Sequence, residues 1–150
     1  MNFNLSEEQI MIQDSVARFV QETYAFDQRN ETVALQHGFS ADNWQQFAEL
    51  GWLSIPFAEE HGGFGGNIVD LSVVMEELGK GLVVEPFFPT VVLFGGLVKR
   101  AGSEAQRAEW LPRIIGGEVL GAFAYVERQS RFALHDCQTK IGRASCRERV

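Results

Sequence analysis

The first apolar stripe of the chain has helical spacing. Ile12, Val16, Phe19, Val20 and Tyr24 fall at i, i+4, i+7, i+8 and i+12, one face of a 3.6-residue period. Ser6-Glu7-Glu8-Gln9 opens it as a capping box, in which the serine hydroxyl accepts from the third helical N–H, Gln9 reaches back, and Leu5 staples the entry. Ser40 repeats the entry signal ahead of Trp44, Phe47 and Ala48, and Gly51 stops that helix. Leu53 to Phe57 is expected to be extended, because Ile55 precedes Pro56 and a residue before proline avoids the helical region. His61-Gly62-Gly63-Phe64-Gly65-Gly66 reads as a flexible loop. It lacks both the GxGxxG spacing and a P-loop lysine, and no Val/Ile-rich strand leads into it, so a tight turn is the better reading than a phosphate cradle.

Ile68, Leu71, Met75, Leu78 and Leu82 alternate spacings of three and four and predict a helix over 67–80, with Glu76 and Glu77 off the apolar face and solvated. The most apolar stretch, 81–98, is interrupted by Glu85, Pro86 and Pro89. What remains, from Thr90 to Val98, is far shorter than the roughly 20 residues a bilayer requires, so a buried helix with proline in its first turn is expected. Ala101-Gly102 ends it. Ser103-Glu104-Ala105-Gln106 is a second capping box, opening a short helix through Trp110 and Leu111 that Gly116-Gly117 closes. Val119 to Val126 is a continuous apolar run with aromatic and β-branched residues near its end, and predicts a buried strand. The expected class is therefore mainly α, with up-down helices over 1–117 and the first strand of a truncated β domain over 118–140.

Composition narrows the function classes. At 150 residues and 45% hydrophobic content the chain can bury an ordinary core. The net charge is −7, and no basic cluster stands before the last ten positions, which argues against nucleic-acid binding. The first eight residues hold no basic stretch followed by an apolar one, so a cytoplasmic protein is expected, with Cys137 and Cys146 as free thiols. His37, His61 and His135 are scattered without metal-ligand spacing, and no metal site is expected. Asn30-Glu31-Thr32 matches the glycosylation acceptor, a chance match in a chain that is not secreted. Residues 141–150 turn abruptly basic and apolar-poor; the string resembles a translated short-read sequencing adaptor and is set aside as a non-native tail, with Lys140 as a hybrid codon. Removing its three Arg and one Glu leaves 10 basic and 19 acidic residues, a net of −9.

Three stretches in order carry a resemblance. They are Leu50-Gly51-Trp52 through Pro56 to Gly66; Glu76-Glu77-Leu78-Gly79; and Gln106 to Leu111-Pro112-Arg113-Ile114, Gly117-Glu118, then Gly121-Ala122-Phe123-Ala124. Over residues 5 to about 139 the chain resembles the amino-terminal domain of the acyl-CoA dehydrogenase family, and the stretch from Ala122 to Arg131 looks closest to the small-subunit type of pimeloyl-CoA dehydrogenase. The resemblance implies a helical domain, a middle β domain and a second helical domain, with FAD between the last two and oxidation of acyl-CoA thioesters to 2-enoyl-CoA. It implies that the glutamate base lies outside this chain, that Phe123, Ala124, Tyr125 and Val126 face the flavin, and that Pro89 and Leu93 line the acyl tunnel. Core packing is the competing reading for both sets.

The family's usual Thr at Val126, and the Glu-Pro and glycine-rich turn that follow it, are replaced here by Val126-Glu127-Arg128-Gln129. A hydroxyl contact to the flavin is thereby lost while backbone contacts survive, which fits a subunit working beside a related chain as a homo- or hetero-oligomer. The alternative is a non-catalytic helical interaction module or non-catalytic subunit of a heteromeric dehydrogenase. Acyl-CoA is the implied substrate, and neither nucleic acid nor membrane is an expected partner.

Overall fold

The computed structural model describes residues 4–139; the string 141–150, with Cys146, and Lys140 before it lie outside the described residues. Helix α1, Glu7–Thr23, starts at the predicted capping box, with Gln9 N donating to Ser6 Oγ at 3.2 Å and Ser6 N to Gln9 Oε1 at 2.9 Å. Helix α2, Phe26–Val33, had no counterpart in the periodicity, and the reason is physical: it buries no residue, so it carries no apolar stripe. Helix α3, Ala41–Glu49, is capped by Ser40 and ends as expected at Gly51, whose φ is 79°.

Between α3 and the next helix the chain departs from expectation. Leu53 to Phe57 is not extended: Trp52–Ser54 is a 3₁₀ turn and Ile55, the residue before Pro56, has helical φ −49° and ψ −51°. The local preference of that residue is overridden by bonds from farther along, Phe64 N to Ser54 O at 3.0 Å and Gly66 N to Ile55 O at 2.8 Å. The glycine loop is accordingly a wired turn. Gly63 is forced by close approach, since a Cβ there would stand 2.1 Å from the Phe57 carbonyl oxygen.

Helix α4, Ile68–Lys80, lies against α1. Its predicted apolar stripe is trimmed at both ends, for Ile68 and Leu82 are exposed while Val73 and Val74 are buried. The seam with α1 carries polar pairs. Gln9 Nε2 donates to Asp70 Oδ1 at 2.8 Å, and Gln13 Nε2 to Glu77 Oε1 at 2.9 Å. Glu77 is thus buried rather than solvated, and it also accepts from Lys80 Nζ at 2.7 Å, which together with the Gln13 bond holds its carboxyl below the ordinary range.

The buried apolar helix begins as a π-helical stretch, Phe88–Gly95, with Pro89 at its start, and runs into α5, Gly96–Ala101. Helix α6, Glu104–Ile115, has the predicted capping box at Ser103 and the predicted close at Gly116, and it runs through Pro112 on the way. The tolerance follows from position. Pro112 and Ala108, whose carbonyl loses a helical donor, are both exposed to water, while Leu111 and Ile114 hold the turn against the core.

The core centres on an aromatic cluster from three elements. Phe19 and Phe47 meet edge-on at 5.2 Å, Phe19 and Trp52 at 5.5 Å, and Phe47 and Trp52 at 4.9 Å. Beyond Gly117 the described residues form neither helix nor strand. The strand expected over Val119–Val126 is therefore a correction: the run is unpaired, because a ladder needs a neighbouring strand and the described residues offer none. Among the described residues no helix is long and apolar enough to cross a membrane.

Candidate functional site

Pro86 and Pro89 fix the entry of the π-helical stretch, which places Val91 and Thr90 fully inside the core and leaves Leu93 on the flank facing Phe57 and Leu71. That flank borders a cavity of about 520 Å³, walled also by Ile68, Leu97 and Phe123, with Lys99 and Arg100 at its edge. Lys99 is committed, its ammonium donating to the Pro56 carbonyl at 2.6 Å. Of the predicted site residues, Leu93 and Phe123 therefore meet at one cavity. Pro89 is half-buried and does not line it. Tyr125 packs its ring on Phe123 at 5.5 Å, and Ala124 and Val126 stand exposed on the same run.

The backbone of that run is held at one point. Gly121 N donates to Thr90 Oγ1 and the Thr90 hydroxyl donates to Gly121 O, both at 3.2 Å. A Cβ on residue 121 would sit 2.1 Å from the Phe94 ring, so only glycine lets the run approach so closely. From Ala122 to Val126 the backbone N–H and C=O groups make no hydrogen bond among the described residues. Past it, Glu127 gathers the chain end: its carboxylate accepts from Gln138 N at 2.9 Å, Thr139 N at 3.1 Å and Cys137 Sγ at 3.3 Å. Donors from Thr139, Gln129 and Gln138 hold that carboxyl far below the usual range.

A second polar centre was missed. Glu85, read from the sequence merely as a break in an apolar stretch, is 5% exposed and accepts from the Tyr24 hydroxyl, from Asn43 Nδ2 at 3.0 Å and from Ser40 N at 3.3 Å. Burial, and then the carboxylate, push the Tyr24 hydroxyl well above its ordinary pKa of 10.0. A lone acid inside so apolar a stretch was the available signal, since a buried charge needs partners. Thr90 offered none. Among the described residues no three His, Cys, Asp or Glu side chains come together in a way that could hold a metal ion.

Residues 6–118 match the family model of the acyl-CoA dehydrogenase N-terminal domain. Probable acyl-CoA dehydrogenase YngJ of Bacillus subtilis is 31% identical over 142 residues, covering 93% of this chain and 37% of its own length. Two solved structures are similar. The butyryl-CoA dehydrogenase of Megasphaera elsdenii has TM-score 0.71 and 25% identity, covering 85% of this chain and 34% of that one. The ChsE4-ChsE5 complex of Mycobacterium tuberculosis has TM-score 0.74 and 25% identity, covering 80% of this chain and 33% of that one. The chain thus spans about a third of the length of the relatives it matches. The family model covers most of the chain, and the chain belongs to the acyl-CoA dehydrogenase family, of which it carries the N-terminal domain.

Proposed function

We propose that the chain is the N-terminal portion of an FAD-dependent dehydrogenase that converts acyl-CoA thioesters to 2-enoyl-CoA. The observation that carries this reading is the meeting of Leu93 and Phe123 at one cavity in a chain of this family. Residues 1–117 supply the helical domain and 118–140 the opening of the middle β domain. FAD, when bound, supplies the acceptor for the hydride that leaves the substrate β-carbon. Ala122 to Val126 are suited to hold its ring: their backbone groups make no other hydrogen bond among the described residues, and the two alanines leave room for a flat surface. Val126 contributes only methyl groups, so orientation there rests on the main chain. Leu93 lines the acyl tunnel and keeps water from the reacting carbons, while Pro89, one turn earlier on the same helix and off the cavity wall, sets the entry of that helix. The glutamate base belongs to sequence outside this chain, and the protein works in the cytoplasm.

Exposed Tyr125 and Val126, together with the replaced residues Glu127-Arg128-Gln129, favour assembly with the same or a related chain. The ChsE4-ChsE5 complex, to which the chain is similar, supports that reading. A second reading, a non-catalytic subunit that keeps the fold, rests on the replaced residues Val126-Glu127-Arg128-Gln129. The test uses two proteins. The 150-residue chain is expected to hold no stoichiometric FAD, because Ala122–Val126 cover one side of the ring at most. The product of the longer gene is expected to bind one FAD per chain and to reduce a dye with acyl-CoA. A folded parent that carries no flavin overturns the enzyme and leaves the non-catalytic subunit.

A further inference from the structure

Thr90 has no partner within its own helix for its side chain. A threonine hydroxyl inside a helix ordinarily bonds back to the carbonyl four residues earlier. Here that carbonyl, of Pro86, takes the Thr90 N–H at 3.1 Å, and the hydroxyl is directed across to Gly121, where it serves both the N–H and the C=O. Thr90 is fully buried. Its β-branch restricts the side-chain rotamer, so the hydroxyl direction is set by the backbone of the π-helical stretch. Gly95 anchors that stretch from the other side, since a Cβ there would come within 2.5 Å of the Phe57 ring. Phe94, one turn on, closes over Gly121 and meets Trp110 edge-on at 6.1 Å, tying the same point to α6.

The consequence is a single rigid link between two surfaces. On the helix side, Thr90 lies between Pro89 and Leu93; on the other, Gly121 lies two residues before Phe123. A slip of one residue in the run would carry Phe123 off the cavity wall it shares with Leu93. We propose that Thr90 is a positioning residue, fixing the register of residues 121–126 on the helix that lines the acyl cavity, so that flavin orientation and acyl placement are set together. This rests on the functional reading above. The hydroxyl touches neither substrate nor cofactor, and acts through Gly121.

The experiment compares wild type, Thr90→Val and Thr90→Ser. Val keeps the shape and removes both bonds; Ser keeps the hydroxyl. In the 150-residue chain, exchange of the Gly121 amide hydrogen, read by NMR, is expected to quicken about tenfold in Thr90→Val and to stay near wild type in Thr90→Ser, with α1 and α4 unchanged in all three. Equal exchange in Thr90→Val and wild type overturns the link. In the flavin-loaded parent, Thr90→Val is expected to shift the flavin absorbance and lower kcat with little change in KM, with Thr90→Ser restoring both. A loaded Thr90→Val parent with an unaltered flavin spectrum and kcat overturns the coupling even if exchange quickens. A parent that binds no FAD while exchange still quickens overturns the functional reading instead and leaves the register link standing.

Discussion

Replacing Tyr24 with Phe should cost about 1.5–3 kcal/mol of stability, the range for a hydrogen bond to a charged group. The phenyl ring keeps the contact with Phe19, at 6.1 Å, so the loss isolates the hydroxyl. Glu85→Ala removes more. It strands three donors at once, the Tyr24 hydroxyl, Asn43 Nδ2 and Ser40 N, at about 1–3 kcal/mol each if all stay dry. The carboxylate borders a cavity of about 360 Å³ through which water can reach the vacated space, so a net loss of roughly 3–5 kcal/mol is expected. Urea unfolding followed by tryptophan fluorescence gives both values, provided the m-values agree. The double variant Tyr24→Phe/Glu85→Ala then separates the pair from its surroundings, because its loss should fall short of the summed single losses by at least about 1 kcal/mol. A Tyr24→Phe midpoint within about 0.5 kcal/mol of wild type, or strict additivity, would refute the reasoning.

The same hydroxyl predicts alkaline sensitivity. Its folded pKa is raised above 10.0, so the folded state holds the proton more tightly, and stability should be level below about pH 10 and fall as pH rises beyond it, with Tyr24→Phe flattening the fall in thermal melts at pH 9 to 11. Gly63→Ala should lose about 2–4 kcal/mol, because its Cβ would overlap the Phe57 carbonyl; a melting temperature within two degrees of wild type would show that the loop can open. Phe123→Lys should reduce self-association of the 150-residue chain in sedimentation without changing helical circular dichroism, since Ala122 to Val126 make no backbone hydrogen bond among the described residues and expose apolar side chains; equal association in both proteins counts against that.

Signals confined to a few neighbouring residues were legible. The capping boxes at Ser6 and Ser103, the cap at Ser40 and the stop at Gly51 depend on groups three or four positions apart, and the structure holds all of them. What could not be read depends on partners far away in the chain. Ile55 follows Phe64 and Gly66 rather than Pro56; Glu77 is buried because Gln13 meets it from another helix; and Tyr24, assigned to an apolar stripe, finds Glu85 across 61 residues. The run from Val119 has the composition of a strand, but composition supplies no neighbour to pair with. Leu93 and Phe123 were each singled out by resemblance, and their meeting at one cavity is a property of the folded chain.

The π-helical stretch carries a consequence for length. Each of its turns closes five residues back instead of four, so it accommodates a residue that an α-helix of equal rise would not. Deleting one residue between Phe88 and Gly95 would let the segment relax into ordinary helix while leaving everything after it close to its present phase, because the wider turn is what absorbs the extra residue. Val98 would stay in the core and Lys99 near the Pro56 carbonyl. The stretch therefore acts as a phase buffer ahead of α5, and a chain one residue shorter there could keep the same apolar positions after Gly95 to fill the same space.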